Sequence, residues 1–160
     1  MNRINFKSIG TIHSPFKQIE DMPIQPSAAQ GIQGYIELNE EYVEGLSDLD
    51  GFSHIYLIYH LHLSKSFNLK VKPFLDDQLH GVFSTRAPKR PNPIGLSVVK
   101  LMDIKHNIIK IENVDIIDDT PLLDIKPFVN EMNAVSDYRI GWLTKHLEEM
   151  KIKKSDNSFK

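Results

Sequence analysis

The chain has 160 residues, 41% hydrophobic and 25% charged, with no cysteine and a formal net charge of −2. That length suits one globular domain with a modest core, and the composition excludes a disordered chain, disulfides, thiolate chemistry and cysteine zinc sites. The longest apolar stretch, Ile55 to Leu63, is too short to cross a bilayer and carries His60 and His62, and Met1 to Lys17 lacks the apolar block of a signal peptide. A soluble cytoplasmic domain with no membrane partner is expected.

In chain order, NFKSIGTIHS (Asn5 to Ser14) and GYIEL (Gly34 to Leu38) read as strands, and Glu40 to Leu46 as a short helix. SHIYLIYHLHLS (Ser53 to Ser64) is rich in β-branched and aromatic residues, with Ile55, Leu57, Tyr59, Leu61 and Leu63 on one face. On the opposite face His54 and Tyr56 join His60 and His62. LSVVKLMDI and IIKIENVDII, joined at His106-Asn107, read as a hairpin. Late in the chain, Tyr138 to Lys151 places Trp142, Leu143, His146, Leu147 and Met150 at helical spacing. The sum is a mainly β domain, a small barrel or strongly curved sheet with a few short helices. No strand precedes a Gly-rich helix start, so a Rossmann fold is excluded.

Charge is arranged in blocks. Eight acidic residues and no Lys or Arg lie between Gln18 and Ser53. From Ser64 to Lys105 the balance reverses, with Lys65, Lys70, Lys72, Arg86, Lys89, Arg90, Lys100 and Lys105 facing Asp76, Asp77 and Asp103. Such blocks are compatible with ordinary solvated faces, or with a phosphate-binding surface beside an acidic pocket for a cationic ligand.

Three segments carry candidate chemistry. VFSTRAPKRPNPIG (Val82 to Gly95) combines three prolines, a glycine and three bases, so Arg86, Lys89 and Arg90 sit on a loop of low conformational entropy. In DIIDDTPLLDIKPF (Asp115 to Phe128), Asp115, Asp118, Asp119 and Asp124 surround a Thr-Pro turn. They are turn or helix caps, or carboxylates facing a cation. In His60-Leu61-His62, alternation along a strand would aim both imidazoles at one metal, but the motif is weakly specific and a structural or ligand-contacting role is preferred.

Taken together, GTIHSPFK (Gly10 to Lys17), Gln25-Pro26, EGLSDLDGFSHIYLIY (Glu44 to Tyr59), VFSTRAPKRPNPIG and DDTPLLDIKPF resemble the TrmO family, also called TsaA-like. The resemblance covers about Ile4 to Phe128. It implies a non-Rossmann β-barrel domain over residues 1–137, with 138–160 as its C-terminal helix and basic tail. It also implies S-adenosyl-L-methionine as cofactor, a homodimer, and methylation of N6 of threonylcarbamoyl-adenosine at position 37 in a tRNA anticodon loop, with no role for DNA. Gln25, Pro26, Ser27, His62, Arg86, Leu96 and the strip Thr120, Pro121, Leu122, Leu123, Asp124 correspond to cofactor-binding positions, and no metal is implied. Lys89 and Arg90, with the Lys65 to Lys72 cluster, would hold tRNA phosphates. The catalytic base is not assigned, Asp118 and His62 being the candidates.

Three departures stand out. This chain is short, like family members without a C-terminal tRNA-engaging domain. Asp119 stands where glycine is common, and Phe128 where tyrosine is frequent. Alternative readings are a methyltransferase of the same fold on a small molecule or another RNA, a metal-dependent barrel enzyme, and a cofactor-binding sensor without turnover.

Overall fold

A computed structural model describes residues 3–23, 29–73, 76–133 and 135–146. Six strands close into an antiparallel barrel: β1 (Gly10–His13), β2 (Gln33–Leu38), β3 (His54–His60), β6 (Ile94–Lys105), β7 (Ile108–Glu112) and β8 (Thr120–Pro127), in the order β1-β2-β7-β6-β3-β8. A separate two-stranded sheet pairs β4 (Lys70–Val71) with β5 (His80–Gly81). Closure leaves no barrel strand with an unpaired edge.

Alternation sets which side chains face inward. Ile55, Leu57 and Tyr59 of β3 are buried, and so are Ile36 and Leu38 of β2 and Ile109 and Ile111 of β7. Each fully buried Ile or Leu contributes about 1.5–3 kcal/mol. On the inner face of the β3–β6 pair, Ile55 lies opposite Val99, Leu57 opposite Ser97, and Tyr59 opposite Gly95, so the largest side chain meets the position without one.

Two long strands change partners. β6 pairs with β3 through Lys100 and with β7 from Lys100 to Lys105, with an irregularity between Leu101 and Asp103. β8 pairs with β1 through Leu122 and then with β3. The β6–β7 hairpin turns at His106-Asn107 as expected, with His106 in the left-handed region. The segment expected as a strand to Ile117 stops at Glu112, because Asn113 adopts φ 68° and turns the chain away. Val114 and Ile116 then re-enter the core.

Other expectations need adjustment. The Asn5–Ser14 strand is confined to Gly10–His13. Glu40–Leu46 is a 3-10 helix. DDTPLLDIKPF contains a full strand, β8, where a turn or a helix start is expected. Of the helix expected from Tyr138 to Lys151, the described part is one 3-10 segment, Gly141–Lys145; residues 147–151 lie outside the described residues.

Candidate functional site

The alternation of β3 ends at His60. The chain then turns so sharply that the His62 amide donates to the His60 carbonyl at 2.8 Å. His60 and His62 therefore do not share a strand face, and the metal arrangement suggested by H-x-H is not formed. His60 is exposed, while His62 swings into a cleft.

The segment after β3 runs beside the proline-rich loop. Leu61 N–H donates to Pro93 O at 2.8 Å, Ser64 Oγ to Pro88 O at 3.0 Å, and Asn68 N–H to Lys89 O at 3.3 Å. The loop itself is clamped by Arg90, whose Nη1 donates to the carbonyls of Val82 (3.2 Å), Thr85 (2.8 Å) and Ala87 (3.3 Å). Its guanidinium also lies 5.9 Å from the centre of the Phe83 ring. Arg90 was expected to grip phosphate, but its geometry is that of a structural clamp, since Nη1 is committed to three backbone carbonyls of its own loop. Val71, Val82 and Ala87 form a small core beneath.

Between this loop, β3, β6 and the β7–β8 connection opens a cleft of about 890 Å³. Its apolar walls include Leu61, Ile94, Leu96 and Ile117. His62, Arg86, Leu96 and Thr120, four positions far apart in sequence, all line it. Arg86 reaches across the loop so that Nη2 donates to Leu96 O at 3.2 Å. Thr120 is buried, its hydroxyl donating to Ile117 O at 2.7 Å and standing 3.5 Å from His62 Nδ1. Burial, reinforced by His60 and Lys65, lowers the His62 pKa, which keeps the imidazole neutral at pH 7.

Leu122 is fully buried in the barrel core, so its side chain does not face the cleft. Pro121, Leu123 and Asp124 follow β8 away from the lining residues, and Asp124 pairs with Lys126 at 2.8 Å. Arg90 reaches the lining, and Lys89 does not. Gln25, Pro26 and Ser27 lie outside the described residues. Phe128 packs on Tyr56 at 5.4 Å on the barrel exterior.

Asp118, a candidate base, ties the Gly10–Lys17 string to the β7–β8 connection instead. Its carboxylate accepts the Ser14 amide at 2.9 Å and the Lys17 ammonium, while its own amide donates to Phe16 O at 2.8 Å. Burial pushes its pKa up, but Lys17, the Ser14 amide and His13 outweigh that and hold it below the usual range. A carboxylate so held is a poor proton acceptor, and it does not line the cleft. Asp119 beside it adopts φ 59°, the left-handed conformation that glycine takes most easily.

Two features escaped the sequence reading. Trp142 was placed on a helical stripe, yet it closes one wall of the cleft: Nε1 donates to Ser84 O at 2.9 Å and the indole stacks on His80 at 4.4 Å. At the floor of the cleft runs a largely buried chain of three polar groups, of which Tyr59 and Asp115 reach the lining. Ser97 Oγ donates to Asp115 Oδ1 at 2.7 Å and accepts from Tyr59 OH at 3.0 Å. Burial raises the Asp115 pKa to about 6 and pushes the Tyr59 phenol well above its ordinary range. The available signal was an aspartate inside the apolar run NVDII, whose neighbours Val114 and Ile116 both face the core.

A closed six-stranded barrel with a side cleft walled by a proline-rich loop defines a non-Rossmann ligand-binding domain. Residues 11–134 match the tRNA-methyltransferase O N-terminal domain family, and the chain belongs to that family. A probable S-adenosyl-L-methionine-binding protein of Pyrococcus abyssi is 52% identical over 156 residues, covering 98% of this chain and 85% of that protein. The tRNA (adenine(37)-N6)-methyltransferase of Escherichia coli is 31% identical over 147 residues, covering 86% of this chain and 63% of its own length. Among solved structures, TrmO from Pseudomonas aeruginosa superposes with a TM-score of 0.74 at 35% identity, covering 88% of this chain and 63% of that one. A further TrmO crystal structure gives a TM-score of 0.75 at 38% identity, and the present chain spans 64% of its length.

Proposed function

We propose that the chain binds S-adenosyl-L-methionine in this cleft and transfers its methyl group to N6 of threonylcarbamoyl-adenosine at position 37 of tRNA, working in the cytoplasm as a homodimer. The observation that carries the reading is the convergence of His62, Arg86, Leu96 and Thr120 on one cleft. The cleft suits the cofactor: apolar walls for a flat base, Arg86 for a carboxylate, and backbone carbonyls for an ammonium. When bound, the cofactor supplies a methyl carbon activated by its sulfonium. The protein's part is to orient the acceptor nitrogen and exclude water, which the stiff loop and the Trp142 wall support.

An anticodon-loop base can be splayed outward without opening a duplex, so the cleft need only admit a single base. Exposed Lys65 and Lys70 on the adjoining segment supply charge for phosphates. Exposed Phe83, Leu63, Ile94 and Leu96 around the rim support a second copy covering that side. No helix among the described residues is long and apolar enough to cross a membrane.

Calorimetry with S-adenosyl-L-methionine tests the cofactor half of this reading. Binding should weaken roughly ten- to hundredfold in Arg86→Ala, the cost of removing a charged hydrogen-bond donor, and unchanged affinity would remove Arg86 from the site. Steep salt dependence of acceptor binding distinguishes tRNA from a small substrate.

A further inference from the structure

We propose that Asp115 is the catalytic residue that accepts the proton from the acceptor nitrogen, with Ser97 and Tyr59 positioning its carboxylate. The assignment rests on the methyl-transfer reading above. A carbamoylated adenine nitrogen carries a delocalised lone pair and one proton, and that proton must leave as the new bond forms.

Asp115 is the acidic residue that lines the cleft among the described residues, and it sits at the cleft floor with 9% of its surface exposed. Ser97 Oγ holds Oδ1 at 2.7 Å, and Tyr59 OH holds Ser97 in turn at 3.0 Å, so the carboxylate's orientation is set by two strands of the barrel. The groups that face it are Arg86 from the loop, Tyr59 from β3 and Ser97 from β6. Arg86 and the Ser97 hydrogen bond favour its ionised form, while burial favours the acid and dominates.

His62 is the competing acceptor in the cleft, and electrostatics disfavour it. Charging it is opposed by burial, by His60 and by Lys65. Protonating Asp115 instead removes a buried charge, so the same burial that hinders His62 assists Asp115. A role as mere counter-charge to the sulfonium fits less well, because that charge vanishes during transfer and its stabilisation would favour the ground state.

The step balances. The nitrogen–carbon bond forms as the carbon–sulfur bond breaks, the bonding electron pair leaves on sulfur as a neutral thioether, and the nitrogen's proton passes to the Asp115 carboxylate. Solvent at the open cleft then removes it.

Three measurements on the intact chain test the assignment. In the free protein, carbon-13 NMR of labelled aspartate should show one carboxyl titrating at about 6, lost in Asp115→Asn and moved upward in Ser97→Ala. Single-turnover transfer from S-adenosyl-L-methionine to tRNA carrying threonylcarbamoyl-adenosine should fall about 100-fold or more in Asp115→Asn, with cofactor affinity within about threefold of wild type. In Ser97→Ala the acid limb of the rate profile should move upward together with the NMR titration. Transfer by Asp115→Asn at a near-wild-type rate, or a Ser97→Ala titration that moves while the rate profile does not, overturns the assignment alone. Absence of transfer by wild type with cofactor bound overturns the functional reading and this assignment with it.

Discussion

Gly95 lies directly beneath the ring of Tyr59: a Cβ at position 95 would stand 2.2 Å from Tyr59 Cε2. The glycine of RPNPIG is therefore a packing requirement of the neighbouring strand, since the β3–β6 ladder pairs these two residues directly. Gly95→Ala should drive the Tyr59 ring off its place above Ser97 and cost about 1–3 kcal/mol as overpacking. Urea denaturation measures the loss. Combining Gly95→Ala with Tyr59→Leu should recover part of it, because the two changes share one contact.

Arg90 separates a structural from an RNA-binding role. Because one of its nitrogens serves three loop carbonyls, Arg90→Lys should lower stability by about 1–3 kcal/mol, as lysine cannot reproduce the fork. The slope of tRNA affinity against salt should stay as in wild type. A residue on phosphate would instead reduce that slope by about one.

Asp119 occupies φ 59° without being glycine. An L-residue there costs about 1–2 kcal/mol, less for aspartate, and glycine gives back about 0.5–1 kcal/mol in chain entropy. Asp119→Gly should thus leave the midpoint of thermal unfolding unchanged or raise it, and Asp119→Val should lower it.

Asp115 and Asp118 give opposite pH signatures. The folded pKa of Asp115, about 6, exceeds the unfolded value near 3.8. Between those values the native state holds the extra proton, so this residue's contribution falls as pH rises from about 4 to 6 and is level above. Two units correspond to about 3 kcal/mol. Asp115→Asn should therefore be more stable than wild type at pH 7.5 and similar to it near pH 4, read by denaturation at both pH values. Asp118 is held low, so its stabilising contribution is complete above the ordinary carboxylate pKa and is lost as pH falls below it. Asp118→Asn should consequently destabilise at pH 7.5 and have little effect near pH 2.

How much of this was legible in the sequence depended on the range of the interactions. Ile55, Leu57 and Tyr59 alternate within one strand, and the His106-Asn107 turn is local, so pattern alone located both. β8 was hidden because Pro121 reads as a turn residue. Pro121 is accommodated because it lies beyond Leu122, where the pairing with β3 ends. The alternation was carried too far, to Leu61 and Leu63, because nothing in the side-chain pattern marks the turn after His60. Within the site, the stiffness of the proline loop was readable from composition. The division of labour between Arg86 and Arg90 was not, since both are arginines on one loop and differ only in which carbonyls come within reach. Asp115 looked like one member of an acidic cluster. Only closure of the barrel separates it from Asp118, setting one at the cleft floor and the other against Lys17.

The most direct test of the central claim is to incubate the chain with methyl-labelled S-adenosyl-L-methionine and tRNA bearing threonylcarbamoyl-adenosine, then map the label by nuclease digestion and mass spectrometry. The account predicts one methyl group on N6 of adenosine 37. Cofactor bound in the cleft with no methyl at that nitrogen would contradict it.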